Sequence, residues 1–322
     1  MLKRRALLFL HVVWLAVAVT ACTPEPKLSV AVSVRRSVAG PVLSTFAGDS
    51  GVALDTRYFD SGDTPPADFD VLWSDDAEAT FALAAAGRLS KLPADLLYTR
   101  PSGLFDPDGM WVGVTADVRV FAYDPRRVPE SDVPTRFENL LDPRWAPRLI
   151  LAHPTSRSGA WHAATLFASK GAQPVTAFFR DLRVAGAQFA AGERQVLDGI
   201  LGDGPPIGVL DGSVAFTSRE LGGAIGIRIP DQDAAGAVLR ATTLAISQRG
   251  AKTPRALELA RYLLSPSVGR RLALMSSHLA LLENDTAPAG ALALRDVKRA
   301  LPSQKEIAAQ LSAVRSELRD LR

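Results

Sequence analysis

Short apolar runs alternate with stretches of helical periodicity along most of this chain. Leu28 to Val34 reads as a buried strand, and the segment beginning at Pro41, with Val42, Leu43 and Phe46, as a helix closed by Gly48. Val52, Leu54, Thr56 and Tyr58 alternate as a second strand, and Phe69 to Trp73 forms a third. Ala77 to Ala86 then predicts a helix ending at Gly87, and Trp111 to Val114 and Val118 to Tyr123 two further strands. Asp124-Pro125 interrupts the pattern, and a second block begins. It holds a strand at Leu149 to Ala152, helices from about Gly159 to Ser169 and from Val175 to Arg183, and a last strand at Ile207 to Leu210. Leu239 to Ile246 reads as a strand returning to the first block. Thr253-Pro254 and Ser265-Pro266 each place a cap before a first-turn proline, which marks a helix start. Such alternation predicts an α/β fold with parallel sheet.

Near the end of the chain, Ser303 and Glu306 form a capping box. Beyond it Ile307, Leu311, Val314, Leu318 and Leu321 repeat at spacings of four and three, which suits a coiled-coil seam or a helix packed on the body.

The beginning of the chain has a different pattern. Lys3, Arg4 and Arg5 precede an apolar run from Ala6 to Val19, and Val19-Thr20-Ala21 leads into Cys22, the single cysteine. This is the layout of a secretory signal, and it resembles a bacterial lipobox in which the thiol accepts lipid. The run is short for a stable membrane span, which needs about 20 residues. Residues 1–21 therefore read as a lipoprotein signal peptide, Cys22 as the lipidation site and 22–27 as a tether. The expected location is the cell envelope, facing the periplasm or otherwise outside the cytoplasm.

Of the 37 basic residues, three lie in that leader, so the remainder equals the 34 acidic residues in number. A balanced charge gives no support for a nucleic-acid partner, which would normally show a basic stripe, and none is expected. At 47% hydrophobic residues, it can bury a large core without a disulfide.

Several segments, in order, resemble one family: the ferric-ion-type extracellular solute-binding proteins of bacterial ABC importers. They are Ala31-Val32-Ser33-Val34 followed by Pro41-Val42-Leu43; Asp70-Val71-Leu72-Trp73-Ser74-Asp75-Asp76; Trp111-Val112-Gly113-Val114 with Arg119-Val120 and Ala122-Tyr123; and Asp142-Pro143-Arg144-Trp145. Pro154-Thr155 with Ser158 and His162-Ala163-Ala164, then Ile229-Pro230-Asp231-Gln232 and Tyr262-Leu263-Leu264-Ser265-Pro266, continue the series. The resemblance implies a two-lobe periplasmic-binding-protein fold (type II) with a ligand cleft between lobes joined by crossover strands. On that reading 28–121 and 235–285 form lobe 1, 122–234 lobe 2, and 286–322 a C-terminal helical segment on the body. It also implies a small-molecule solute and ABC permease subunits as partners, membrane attachment through Cys22, and a monomer. No enzymatic activity, cofactor or resident metal is expected.

Ligands of parallel sheets gather beyond the carboxyl ends of strands, where helix N-termini point. The expected binding residues are accordingly Ser33, Arg35 and Arg36 after the first strand and Ser74 and Asp76 after the third. Thr155, Ser158, Trp161 and His162 come from the loop and helix of the second block, and Asp211 and Ser213 follow its last strand. Asp75 reads as a helix cap. An arginine at such a strand end suits a carboxylate, phosphate or phosphonate; adjacent residues diverge, so one of Arg35 and Arg36 is expected to touch ligand. Trp161 is placed to stack or to act as a lid. His162 reads as a structural or ligand-packing histidine, because no metal-ligand spacing surrounds it.

Iron-binding members of the resembled family carry an adjacent tyrosine pair in the loop after the strand matching Ile207 to Leu210. Here Ser213 and Val214 occupy those positions, and no Tyr-Tyr pair occurs anywhere in the chain. A small polar or anionic solute is thus expected, rather than ferric ion held by phenolates. A sensory lipoprotein of the same fold fits the same residues. A hydrolase built on Ser158, His162 and Asp211 fits less well, since there is no Gly-x-Ser-x-Gly elbow.

Overall fold

The computed structural model describes residues 27–281 and 291–321. Cys22, the leader and most of the tether lie outside the described residues.

Strand β1 (Leu28–Val32) is apolar enough to be buried on both faces, and it sits between parallel neighbours. Helix α1 (Arg36–Ser50) connects it to β2 (Leu54–Tyr58), and β3 (Val71–Ser74) leads into α2 (Ala77–Ala85). The expected first helix began at Pro41; the observed one starts five residues earlier and runs past Gly48 to Gly51, which ends it with φ 71°. Pro41 sits inside the helix on its exposed side, while Val38, Val42, Leu43 and Phe46 supply the buried stripe. Short β4 (Leu89–Ser90) and α3 (Ala94–Leu97) follow.

Strand β5 runs unbroken over Val112–Tyr123, with every residue buried. Sequence patterning had divided it into two strands around Thr115-Ala116-Asp117. A charged residue normally argues for a turn, but Asp117 is paired and the backbone stays extended. Twelve residues at the usual strand rise span about 40 Å, long enough to serve both halves of the molecule.

The second half contains β6 (Leu149–Ala152), α4 (Arg157–Lys170), α5 (Ala172–Val184), β7 (Gln188–Ala190), α6 (Glu193–Leu201), β8 (Ile207–Asp211), α7 (Gly212–Glu220) and β9 (Gly226–Arg228). Helices α6 and α7 are absent from the sequence reading. The first has only Val196 and Ile200 fully buried, and the second opens on Gly212-Ser213, which reads locally as a turn. The chain then returns through β10 (Leu239–Ser247), α8 (Pro254–Leu263), α9 (Pro266–Ser276), β11 (Leu279–Ala280) and α10 (Gln304–Glu317).

The main strand order is β2-β1-β3-β10-β5-β8-β6-β7. The first part of β5 pairs antiparallel with β10, and its last part pairs antiparallel with β8 and β9. One strand thereby belongs to two lobes. Lobe 1 buries Val38, Val42, Phe46, Leu259 and Leu263 against its sheet, and lobe 2 buries Phe121, Leu149, Leu151, Trp161 and Phe179. The C-terminal helix inserts Ile307, Leu311 and Val314 into the lobe-2 core beside Trp161, and Ala77 of α2 touches the same cluster. Gln304 fixes its start: Nε2 donates to the Leu239 carbonyl at 3.1 Å and Oε1 accepts from the Ala241 amide at 3.0 Å. At the other end Arg315 pairs with Glu78 of α2 at 2.5 Å, so α10 contacts both lobes.

Candidate ligand cleft

Where β5 passes from one lobe to the other, a cavity of about 720 Å³ opens between them. This is within the range of small-molecule sites, about 300–1,000 Å³. Its polar lining includes Arg35, Asp75, Asp117, Arg157, Asp211 and Arg240. Each lies at or shortly after a strand end or projects from β5 or β10.

At the floor, Arg119 on β5 is 5% exposed, and its Nη1 donates to Glu193 Oε1 at 2.6 Å and Asp211 Oδ1 at 2.8 Å. Arg240 on β10 donates from Nη2 to Asp211 Oδ2 at 2.9 Å and from Nη1 to the Asp75 carbonyl at 2.9 Å, crossing from lobe 2 to lobe 1. Glu193 also accepts from the Asp211 amide at 2.9 Å and from the Ser158 hydroxyl. Buried charges persist only when paired, and each charge of this network has an opposite partner, while the Nε atoms of Arg119 and Arg240 are buried without a hydrogen-bond acceptor. Burial alone raises a carboxyl, yet Arg240 and Arg119 together hold Asp211 well below the usual range. Glu193 is pushed up, because burial outweighs its attraction to Arg119. Burial disfavours the charged forms of Arg119 and Arg240, but the surrounding carboxylates more than offset it.

Helix α7 delivers a second polar cluster. The Ser213 amide donates to Asp117 Oδ1 at 3.0 Å and its hydroxyl to Oδ2 at 2.5 Å. This approach requires Gly212: a Cβ there would come within 2.9 Å of the Val118 carbonyl oxygen. His278 completes the cluster, with Nδ1 3.1 Å from Thr115 Oγ1 and Nε2 3.6 Å from Asp117. It is brought to the cleft by Ser277, whose left-handed φ of 55° turns the chain sharply after α9. Burial lowers the His278 pKa, with Asp117 acting in opposition.

Of the residues expected from sequence, Arg35, Asp211 and Ser213 line the cavity. The others lie elsewhere, each for an identifiable reason. Arg36 turns onto Tyr58, its guanidinium 4.3 Å from the ring centroid. Ser33 and Ser74 bond to each other at 2.8 Å, joining the ends of β1 and β3 beneath the cleft. Asp76 is the α2 cap: Oδ1 accepts from the Ala79 amide at 3.2 Å and Oδ2 from the Gly62 amide at 2.8 Å. The two aspartates thus exchange their expected roles, since Asp75 faces the cavity, accepting from Ser33 at 2.8 Å and lying 3.5 Å from Arg157. Thr155 bonds to His153 Nδ1 at 2.7 Å, and Ser158 is occupied by Glu193. Trp161 is a core residue, its indole donating to the Leu239 carbonyl at 3.0 Å and its ring stacked with Phe81. His162 is likewise buried, edge-on to Phe137 at 4.3 Å, and burial followed by the nearby Arg119 charge lowers its pKa well below the usual histidine value.

The sequence reading missed Asp117, Arg119, Glu193, Arg240 and His278 as site residues. For three of them a signal was present: Asp117, Arg119 and Arg240 are charges inside otherwise apolar strand runs. Such a charge must find a partner once the strand is buried.

Residues 70–297 match the family described as bacterial extracellular solute-binding proteins. The chain belongs to this family. Among curated proteins, it is 28% identical over 189 residues to the major ferric iron-binding protein of Neisseria meningitidis serogroup A, covering 55% of this chain and 56% of that one. It is 29% identical over 123 residues to iron uptake protein A1 of Synechocystis, covering 38% of this chain and 33% of the relative. The matches thus span about a third to just over half of the relatives' length. The structure of iron-bound HitA from Pseudomonas aeruginosa superposes with a TM-score of 0.78 at 19% identity, covering 92% of this chain and 99% of that one, which shows a shared two-lobe fold. The family is one of solute-binding proteins.

Proposed function

We propose that this solute-binding protein is the capture component of an ABC importer, held to the membrane through lipid on Cys22. It encloses a small polar or anionic organic solute by closure of its lobes and passes it to the permease. The observation that carries this reading is the cavity of about 720 Å³, bounded by Arg35 and Asp75 from lobe 1 and by Arg157 and Asp211 from lobe 2. A solute touching both sides favours the closed form by its differential contacts.

The names of two relatives attach iron to those proteins; the residues here argue for a different cargo. Ferric ion needs hard anionic oxygens, yet none of Tyr58, Tyr98, Tyr123 and Tyr262 lines the cavity. The carboxylates of the floor are committed to Arg119 and Arg240. An incoming cation would have to displace two arginines and leave them buried beside it. Among the described residues, no group of three or more His, Cys, Asp or Glu side chains is arranged to hold a metal.

The test is native mass spectrometry of protein purified from its own host, followed by small-angle scattering with the recovered solute. A bound organic molecule that makes the particle more compact supports the reading. A larger thermal shift with ferric citrate than with citrate alone overturns the exclusion of iron.

A further inference from the structure

Along the cleft wall of lobe 2, the lining changes character. Helices α6 and α7 both begin at the charged floor, at Glu193 and Gly212. Nine residues of helix carry each of them about 13 Å away from it. Along these helices the cavity lining includes Leu197 and Leu201 on α6, Val214 near the start of α7 and Leu221 just beyond its end, interspersed with Thr217, Ser218 and the mutually paired Arg194 and Asp198, and Val34 and Val38 come from lobe 1. Leu221 is 83% exposed, while Leu197, Leu201 and Val214 are half-buried and pack against the core on one side, so together they form an apolar shelf that is partly open to the cavity.

The polar end has a definite sign. Asp211 and Glu193 are occupied by arginines, Asp117 by Ser213 and His278, and Asp75 by Ser33, Ser61 and Arg157. Among the described residues, the Arg35 guanidinium has no hydrogen-bond or ion-pair partner, and Arg157 has only the 3.5 Å contact with Asp75. The unused capacity is therefore donor capacity, which a carboxylate, phosphate or phosphonate matches.

We infer that the solute is an amphipathic organic anion, its charged group at Arg35 and Arg157 and its hydrocarbon part on the shelf of Leu197, Leu201, Val214 and Leu221. This rests on the solute-capture reading and adds a chemical class to it. A purely hydrophilic solute would leave the shelf solvated on closure, whereas a hydrocarbon portion removes both apolar surfaces from water.

The experiment is a titration of the purified protein with linear carboxylates from acetate to octanoate and with alkylammonium ions of matching length, followed by intrinsic fluorescence and thermal shift. Inorganic phosphate and citrate serve as hydrophilic anions. Affinity is expected to rise about fourfold for each added methylene that becomes buried, with the ammonium ions weaker at every length. Leu197→Ser combined with Leu221→Ser should flatten the gain toward octanoate; circular dichroism confirms that the variant is folded. Arg35→Ala should weaken all the carboxylates by a similar factor. A flat series in the native protein, or stronger binding of the ammonium ions, overturns the inference. Binding of phosphate, citrate and acetate with no gain toward octanoate defeats it while leaving solute capture standing. Silence of every probe, together with the absence of any solute in protein from its host, defeats both.

Discussion

On the lobe-2 side of the cleft, Arg119, Glu193 and Asp211 neutralise one another at hydrogen-bond distance, whereas at the lobe-1 rim Arg35 borders the cavity with no ion-pair partner among the described residues. The first arrangement is structural: three charges on β5, α6 and β8 fix those elements relative to one another, and Arg240 extends the tie to the Asp75 carbonyl of lobe 1. The second leaves binding capacity available. Charge at a cleft thus signals ligand contact only after internal partners have been accounted for, and Arg35 differs in this from Arg119 although both are arginines near the same cavity.

The strongest way to break this comparison is to remove Arg119. Arg119→Met leaves Glu193 without its ionic partner and should cost about 3–5 kcal/mol in urea unfolding; a loss below about 1 kcal/mol would make the network dispensable. Trp161, expected at the ligand but found in the core, provides a companion measurement. Trp161→Ala should cost a comparable amount, about 3–5 kcal/mol, and a fully stable variant with altered solute response would return that ring to the cleft.

Acid provides a graded test of the same buried region. The folded-state pKa of His162 lies below its unfolded value, so unfolding takes up a proton at mildly acidic pH. Its contribution is fully present above about pH 6.5 and is lost as pH falls below that, with a slope of up to about 1.4 kcal/mol per pH unit. His278 shifts in the same direction and adds to the slope. His162→Phe should flatten the profile between pH 6.5 and the onset of carboxylate titration; an unchanged profile would mean that His162 is not the titrating group. The raised Glu193 acts oppositely, its contribution diminishing as pH rises through its elevated native pKa.

Smaller effects sharpen the lobe-1 side. Arg35→Ala should change stability by no more than about 0.5 kcal/mol, the usual scale for surface positions, while reducing the thermal shift given by anionic solutes. Arg36→Ala removes only the contact with Tyr58 and should leave solute binding untouched. Equal effects of the two substitutions on binding would dissolve the distinction between the neighbouring arginines.

Much of the architecture was legible because its signals are local. The strand at Leu149–Ala152 coincides with its predicted span, and Ser265 caps α9 by accepting from the Val268 amide at 3.4 Å. The C-terminal capping box forms between Ser303 and Glu306, and the apolar stripe beyond it is buried. Where local signals competed, the reading went astray. Asp75 and Asp76 are equally good caps in sequence, and only the approach of Ser33 and Ser61 draws Asp75 away toward the cavity. Helix α7 was obscured by Gly212, which is required by proximity to β5 and carries no signal of that in its own neighbourhood.

Sequence by itself determined most of the alternation of strands and helices, the helix starts at Pro254, Pro266 and Gln304, the family resemblance and the absence of a tyrosine pair, because each depends on residues close together or on side-chain chemistry alone. The tertiary structure decided which charges face a solute. Arg119 meets Glu193 across 74 positions and Arg240 reaches the Asp75 carbonyl across 165. No periodicity encodes such distances: the partners are selected by strand order and by the cost of leaving a buried charge alone.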